Sequence, residues 1–251
     1  MKRKNAEQLR WYLILTGLLI TASVISYLIQ ITIFHKTEDT LFYLLQDIAF
    51  VPIQVLLVTF ILARLLNERE KRALLKKLNM LIGAFYSEVG TSLIRDLSLF
   101  SSAFSELSPH LLVRTSWTRK DFVKALSFME TFDPGLDSRK NDMTELKGFL
   151  DGKRNFLLGL LANPNLLEHE TFTDLLWAVL HLSEELSARP RLEGLPEEDY
   201  RHLSGDMKRA YVQLLSRWLA YLSHLKEDYP YLFSLAVRTN PMDAGASPVV
   251  K

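Results

Sequence analysis

Histidines and carboxylates at helical spacing are the residues in this 251-residue chain that could do metal chemistry. Three groups are spaced three or four residues apart, which places their side chains on one face of a helix: His181 with Glu184 and Glu185, Asp199 with His202, and Glu106 with His110. Imidazole and carboxylate groups both bind divalent metals. A di-iron helical bundle, however, needs Glu-x-x-His on two helices and further inward glutamates on two others. That repeated pattern is missing, so the sequence predicts solvated helix pairs, no metal site and no cofactor.

Motifs for other chemistry are also missing from the sequence. The chain contains no cysteine, which excludes disulfides, Cys-ligated zinc and thiol catalysis. It has no Gly-rich phosphate loop, no Gly-x-Ser-x-Gly and no His-Glu-x-x-His. We therefore expect no catalytic residues and a protein that is not an enzyme. A membrane-tethered enzyme with an unrecognised carboxylate–histidine site is a less favoured alternative.

Two long apolar segments dominate the N-terminal quarter of the chain. They cover about residues 11–34 and 41–66, and only a short polar stretch separates them. Each exceeds the ~20 apolar residues that a helix needs to cross the hydrocarbon core of a bilayer. The sequence predicts an all-α protein, in which an N-terminal transmembrane helical hairpin (residues 1–66) precedes a multi-helix cytosolic bundle.

Basic residues flank both outer ends of this predicted hairpin but not its turn. The N-terminal ten residues are basic, and a second cluster lies at the end of the second segment and just beyond it: Arg64, Arg69, Lys71, Arg72, Lys76 and Lys77. The positive-inside rule then predicts a plasma (inner) membrane protein with two spans and both termini in the cytoplasm. The same cluster could bind anionic lipid headgroups. Beyond it acidic residues slightly outnumber basic ones, which argues against a nucleic-acid partner.

Polar residues inside the predicted spans permit two interpretations. Gln30 lies in the first segment, Asp47 and Gln54 in the second, and the depths of Gln30 and Asp47 allow them to meet across the hairpin. They could hold two helices or two protomers together by hydrogen bonds. Alternatively, Asp47 could line an ion path, because ionisable residues within a span are costly and often functional.

The pattern after Asn67 predicts a helical domain over residues 67–240 and a disordered tail over 241–251. The first helix continues from the second span and ends at Pro109, with a strip of small residues (Gly83, Ser87 and Gly90) that suits close contact with another helix. A long helix over about 196–225 carries apolar residues at alternating four- and three-residue steps, as in a coiled-coil seam. These periodicities predict helices and no strand.

Two helix starts share a local pattern, in LLVRTSWT and LLEHETFT. The pattern predicts N-caps at Thr118 and Thr173. It also predicts hydrophobic staples that join Trp117 to Phe122 and Phe172 to Trp177. We therefore expect both tryptophans to belong to the core.

The segments LIGAFYSEVGTSL (residues 81–93) and YPYLFSLAVRTNP (229–241) resemble uncharacterised prokaryotic two-span membrane proteins with a helical cytosolic domain. The resemblance implies this architecture and carries no activity with it. We expect a membrane-anchored, non-enzymatic interaction, scaffold or assembly module at the cytoplasmic face. Its partners are the lipid bilayer, an unknown protein and a second copy of the chain. The alternative is an oligomeric two-span channel or transport accessory protein.

Overall fold

The computed structural model describes the backbone of residues 2–34, 37–167 and 170–250, and side chains in most of them. Within these residues the protein is all-helical, and an isolated bridge between Ser101 and Leu136 is the one β-type pairing. The α-helices are α1 (Lys2–Phe34), α2 (Thr37–Phe85), α3 (Thr91–Ser98), α4 (Phe104–Leu111), α5 (Arg119–Thr131), α6 (Met143–Leu161), α7 (Pro164–Leu167), α8 (Glu170–Ala188), α9 (Glu197–Asp228) and α10 (Pro230–Arg238). The chain divides into two compact units, Met1–Glu70 and Lys71–Lys251.

The first unit contains α1 and the beginning of α2, and its apolar side chains are exposed on every face of the helices. In α1 the consecutive residues Leu13, Ile14 and Leu15 are all exposed, as are Leu56 and Leu57 in α2. Both helices are long and apolar enough to cross a membrane, by length and composition. Pro52 lies inside α2 and does not end it.

A five-residue π-helical turn, Tyr86–Gly90, separates α2 from α3. The Tyr86 carbonyl accepts the backbone N–H of Thr91 and also the Thr91 hydroxyl, which donates to it at 2.8 Å. The prediction that the helix runs on to Pro109 is wrong. Helix α3 ends at Ser98, and Pro109 lies within the separate helix α4. Periodicity alone did not mark these breaks, because apolar residues continue at three- and four-residue steps across them.

Helix α9 is the centre of the second unit and packs against α3, α5, α8 and α10. The predicted seam of α9 is buried, with Tyr221 partly so: Met207, Tyr211, Leu214, Trp218, Tyr221 and Leu225. Leu215, Leu219 and Leu222 are buried as well. Helix α9 is therefore covered on more than one side, whereas the seam alone would cover a single stripe.

Two tyrosine hydroxyls fix the register of α9 against the segment around the π-helical turn. The Tyr86 hydroxyl donates to the Leu214 carbonyl at 2.9 Å. The Tyr211 hydroxyl and Ser98 Oγ lie 2.8 Å apart in the core. Burial raises the pKa of Tyr211 to about 12. Each buried hydroxyl thus has the partner that makes its burial tolerable.

The two predicted helix starts have different structures. At α5 the Asp121 carboxylate accepts the Thr118 backbone N–H at 2.6 Å and its hydroxyl at 2.7 Å, and these bonds hold the pKa of Asp121 below its usual value. The N-cap predicted at Thr173 is wrong. Helix α8 already begins at Glu170, and the Thr173 hydroxyl donates instead to the Leu166 carbonyl at 2.9 Å.

The two tryptophans of the predicted staples also differ. Trp117 is partly buried and contacts Phe122 edge-to-face, with 5.1 Å between ring centroids. The prediction that Trp177 belongs to the core is wrong, since its side chain is 59% exposed while Phe172 is fully buried. Because α8 already includes Phe172, the two residues lie five positions apart within one helix and point to different sides of it. At the C-terminal end Met242 is buried, so the packed domain reaches beyond residue 240 into the segment predicted as a tail.

Candidate functional site

Helices α8 and α9 bring two histidines and two carboxylates together at one place on the domain. The group consists of His181 and Glu185 on α8 and His202 and Asp206 on α9, and we call it the histidine–carboxylate cluster. One ligand-type atom from each of the four residues lies within 4.8 Å of the others. Within each helix the histidine precedes the acid by four residues, which places both side chains on the same face.

The distances in the cluster fall in a narrow range. His202 Nε2 lies 3.3 Å from Asp206 Oδ2 and 3.5 Å from Glu185 Oε2. His181 Nε2 lies 3.5 Å from Asp206 Oδ2 and 3.9 Å from Glu185 Oε1. Both Nε2 atoms therefore face both carboxylates. None of these distances lies within the 2.7–3.2 Å typical of an N–H···O hydrogen bond.

Arginines outside the cluster hold both carboxylates. Arg189 donates to Glu185 Oε2 at 2.7 Å and to Asp199 at 2.5 Å, and thus links the end of α8 to the start of α9. These hydrogen bonds lower the pKa values of both Glu185 and Asp199. Arg209 donates to Asp206 Oδ1 at 2.9 Å. Each carboxylate of the cluster thus has an arginine on one oxygen.

The second oxygen of Asp206 is the least satisfied atom of the cluster. The Asp206 side chain is 2% exposed, and its Oδ2 is buried without a hydrogen-bond partner. The histidine side chains that face it are 45% and 52% exposed, so the cluster is open to solvent from their side. A buried carboxylate oxygen without a donor is costly, and such an atom calls for a ligand.

Sequence reasoning identified His181, Glu185 and His202 but missed Asp206, and it paired His202 with Asp199. In the structure Asp199 forms an ion pair with Arg189, and Glu184 forms one with Arg154 at 3.2 Å. The signal that could have revealed the cluster is the repeat of His-x-x-x-acid on two successive helices. The Glu106–His110 pair lies outside the cluster. The His110 ring stacks on the Phe128 ring, with 4.0 Å between ring centroids.

The polar residues of the apolar helices have a different arrangement from the predicted one. In the described residues Asp47 accepts a hydrogen bond from the Tyr27 hydroxyl at 3.2 Å, rather than from Gln30. Gln30 is partly exposed, and Gln54 is exposed. The Tyr27–Asp47 bond joins α1 to α2.

The basic residues predicted at the lipid surface all lie on α2, and the described side chains among them are exposed: Arg64, Arg69, Lys71, Lys76 and Lys77. The Arg72 side chain lies outside the described residues. Arg64 pairs with Glu68 at 3.5 Å, an i,i+4 contact on the helix surface.

The small residues Gly83, Ser87 and Gly90 do not form one contact strip. Gly83 faces the Tyr221 hydroxyl of α9, which would lie 2.9 Å from an added Cβ, whereas Ser87 is exposed. At Gly90 the nearest atoms belong to the Tyr86 and Phe85 rings, not to another helix. The predicted close helix contact therefore applies at Gly83.

The described residues thus form an all-helical protein, in which two apolar helices precede a helical domain. Comparison with known families shows that this chain belongs to the family of the "Uncharacterized protein MJ1433". The model of the C-terminal helical domain of that family matches residues 74–238, and the model of its N-terminal helical domain matches residues 4–66.

A relative in Methanocaldococcus jannaschii, "Uncharacterized protein MJ1433", is 42% identical over 234 residues, which cover 93% of this chain and 94% of the relative. No solved structure matches the chain. Membership in the family thus supports the two-part helical organisation over nearly the whole chain.

Proposed function

We propose that this protein is a membrane-anchored, non-enzymatic assembly module, in which two spans hold the helical domain at the cytoplasmic face of the plasma membrane. The observation that carries the proposal is the exposure of apolar side chains on all faces of α1 and of the first half of α2. A helix that is apolar all round is stable when buried in a protein core or in lipid. Here no protein core covers these side chains, so lipid is the surrounding that fits them.

The charge distribution supports the orientation of this anchor. Basic residues occur in the first ten residues, at the start of α1, and on α2 beyond its apolar part, whereas residues 35–40 between the apolar segments carry Lys36 against Glu38 and Asp39. Basic flanks stay on the cytoplasmic side during insertion. The domain after the second span then lies in the cytoplasm.

The Tyr27–Asp47 hydrogen bond favours packing over conduction as the role of the carboxylate in the span. A residue that lines an ion path has to present its charge to the path. Asp47 instead accepts a hydrogen bond from the neighbouring helix. We therefore prefer the assembly module to the alternative of an oligomeric channel or transport accessory protein.

Trp177 is the residue of the domain best suited to contact a protein partner. It is a large aromatic side chain on α8, 59% exposed and one helical turn before His181. Tryptophan is enriched among the residues that dominate binding energy at interfaces. A partner or a second copy of the chain that covers α8 would bury it.

Cysteine labelling tests the membrane anchor, since the chain has no cysteine of its own. Thr37→Cys lies at the start of α2, and Ser105→Cys lies at an exposed position of α4. On intact cells an impermeant maleimide should label the first variant and not the second. Permeabilised cells provide the control, because there both variants should react. Labelling of Ser105→Cys on intact cells would refute the proposed orientation.

Cross-linking and affinity purification test the assembly role. We expect the tagged wild-type chain to retain a specific protein or a differently tagged copy, and Trp177→Ala to reduce that retention at least about tenfold. Val123→Ala is the control, since Val123 is similarly exposed, at 56%, but lies on α5. Equal retention by all three proteins would show that α8 is not the contact surface.

A further inference from the structure

We propose that the histidine–carboxylate cluster binds one divalent transition-metal ion of the Zn²⁺ type, which joins α8 to α9. The ligands are Nε2 of His181 and His202, one oxygen of Glu185 and Oδ2 of Asp206. This site is independent of membrane attachment and goes beyond the proposed assembly role.

The spacing of the four groups is the first argument. In a tetrahedral site with metal–ligand bonds of about 2.0–2.1 Å, two ligand atoms lie about 3.3–3.4 Å apart. Three of the four nitrogen-to-oxygen distances in the cluster are 3.3–3.5 Å, and the fourth, from His181 Nε2 to Glu185 Oε1, is 3.9 Å. The two distances to Asp206 Oδ2, 3.5 and 3.3 Å, match ligands that share one ion, and Glu185 approaches His202 through Oε2 and His181 through Oε1. All four distances lie outside the 2.7–3.2 Å typical of an N–H···O hydrogen bond.

The buried oxygen of Asp206 is the second, independent argument. Its Oδ2 has no hydrogen-bond donor although the side chain is 2% exposed, and both histidine Nε2 atoms face it. An ion between these three atoms would satisfy Oδ2 and explain why neither imidazole donates to it. Ion pairs with two protonated histidines would instead favour shorter, well-aligned contacts.

The arginines act as positioning residues for the two acidic ligands. Arg209 holds Oδ1 of Asp206, so that Oδ2 is directed at the histidines. Arg189 holds Glu185 through its Oε2 and is itself held by Asp199 at the start of α9. Such outer contacts fix the orientation of ligands in metal sites.

The donor set selects the class of metal. Two imidazole nitrogens with two carboxylate oxygens suit Zn²⁺ and related transition metals, whereas Mg²⁺ and Ca²⁺ prefer all-oxygen sites. The two carboxylates also supply two negative charges for a divalent cation. Four protein ligands leave no position for a substrate, as in structural zinc sites. The ion therefore serves the stability of the helix pair.

Zinc binding to the full-length protein in detergent tests the proposal. The protein carries a tag without histidine, is stripped with a chelator and is dialysed against Zn²⁺, and bound metal is measured by elemental analysis. We expect one Zn²⁺ per chain in the wild type and its loss in the double variant His181→Gln/His202→Gln. Both histidines are about half exposed, so the double variant should fold, which circular dichroism checks.

His224→Gln is the matched control. His224 and Asp228 have the same four-residue spacing on α9, with a 2.8 Å contact between Nδ1 and Oδ2, but they lie outside the cluster. This variant should bind zinc like the wild type. Asp206→Asn keeps the shape of the buried ligand and should lower the affinity at least about 100-fold, since even an outer contact is worth roughly 10–100-fold.

The thermal unfolding of the same proteins tests the role of the ion. Zinc at about 100 times its dissociation constant should raise the midpoint for the wild type and His224→Gln by roughly 5–10 °C. It should leave the double variant unchanged, and Mg²⁺ should have no effect on any of them. Absence of saturable binding in the wild type would overturn the site. Equal binding by the wild type and the double variant, or loss of binding in His224→Gln, would overturn it as well.

Discussion

Gly90, the last residue of the π-helical turn, provides the sharpest test of the packing in the helical domain. Its backbone has helical angles, φ −60° and ψ −44°, which alanine adopts without strain. On intrinsic helix propensity alone, Gly90→Ala should stabilise the domain by about 1 kcal/mol. Packing in the structure predicts the opposite sign.

An added Cβ at position 90 would meet two aromatic rings. It would lie 2.5 Å from Cδ1 of Tyr86 and 2.9 Å from Cε1 of Phe85. Both rings are buried, and Tyr86 is further fixed by its hydrogen bond to Leu214 and by stacking on Tyr221, with 5.3 Å between ring centroids. The Tyr86 ring cannot turn away without losing these contacts, and the Phe85 ring is held edge-to-face against Phe172 with 5.3 Å between ring centroids.

The balance of these effects gives the expected magnitude. Overpacking of a buried site costs about 1–3 kcal/mol, and loss of the Tyr86 hydrogen bond adds about 1 kcal/mol. After subtraction of the gain in helix propensity, Gly90→Ala should destabilise the domain by about 1–3 kcal/mol. Gly152→Ala is the control, because Gly152 is an exposed residue of α6 with no atom within 4 Å of an added Cβ. It should stabilise by about 1 kcal/mol.

Urea unfolding of residues 71–251, followed by circular dichroism, measures both variants. The two free energies of unfolding should differ by about 2–4 kcal/mol, with opposite signs relative to the wild type and an unchanged dependence on urea. If Gly90→Ala is as stabilising as Gly152→Ala, the rings do not pack against Gly90 and the π-helical turn does not require glycine.

Three further predictions concern other elements. In urea unfolding Trp117→Ala should cost about 2–3 kcal/mol, because its ring packs on the core, whereas the exposed Trp177→Ala should cost less than about 0.5 kcal/mol. In the first unit Tyr27→Phe and Asp47→Leu each remove the same hydrogen bond and should weaken helix association by about 0.6–2 kcal/mol in detergent, whereas Asp47→Asn should be nearly silent. NMR titration should find the pKa of Asp121 below the ordinary value of about 3.9. The stability that its carboxylate contributes is therefore present above pH ~4, and it is lost as the pH falls through the lowered pKa.

Most of the helical domain was predictable because the causes of its helices are local. The segment Asp133-Pro134-Gly135 predicts the end of a helix, and in the structure α5 ends at Thr131, just before it. Gly135 has a φ of +59°. The seam of α9 follows from residues three and four positions apart, and it is buried as predicted. Helix ends were less accurate where the apolar pattern continues through a break, as at Ser98.

The candidate site was not predictable from the sequence in the same way. His181, Glu185 and His202 were noticed in the sequence, but each belonged to a pair of residues that is ordinary on the exposed face of a single helix. Asp206 became relevant only when α8 and α9 were packed together, since the cluster exists across that contact. Its unsatisfied oxygen is a property of burial, which spacing within one helix cannot reveal.

The sequence by itself determined the all-helical class, the two apolar segments and their basic flanks, because composition and 3.6-residue periodicity act over short stretches of chain. Tertiary structure alone decided which faces of the helices are covered. In the folded protein Trp177 is exposed and Trp117 is partly buried. Asp47 accepts a hydrogen bond from Tyr27, and two His-x-x-x-acid pairs lie side by side. The physical reason is that these contacts join residues far apart in the chain, and their existence depends on how whole helices pack.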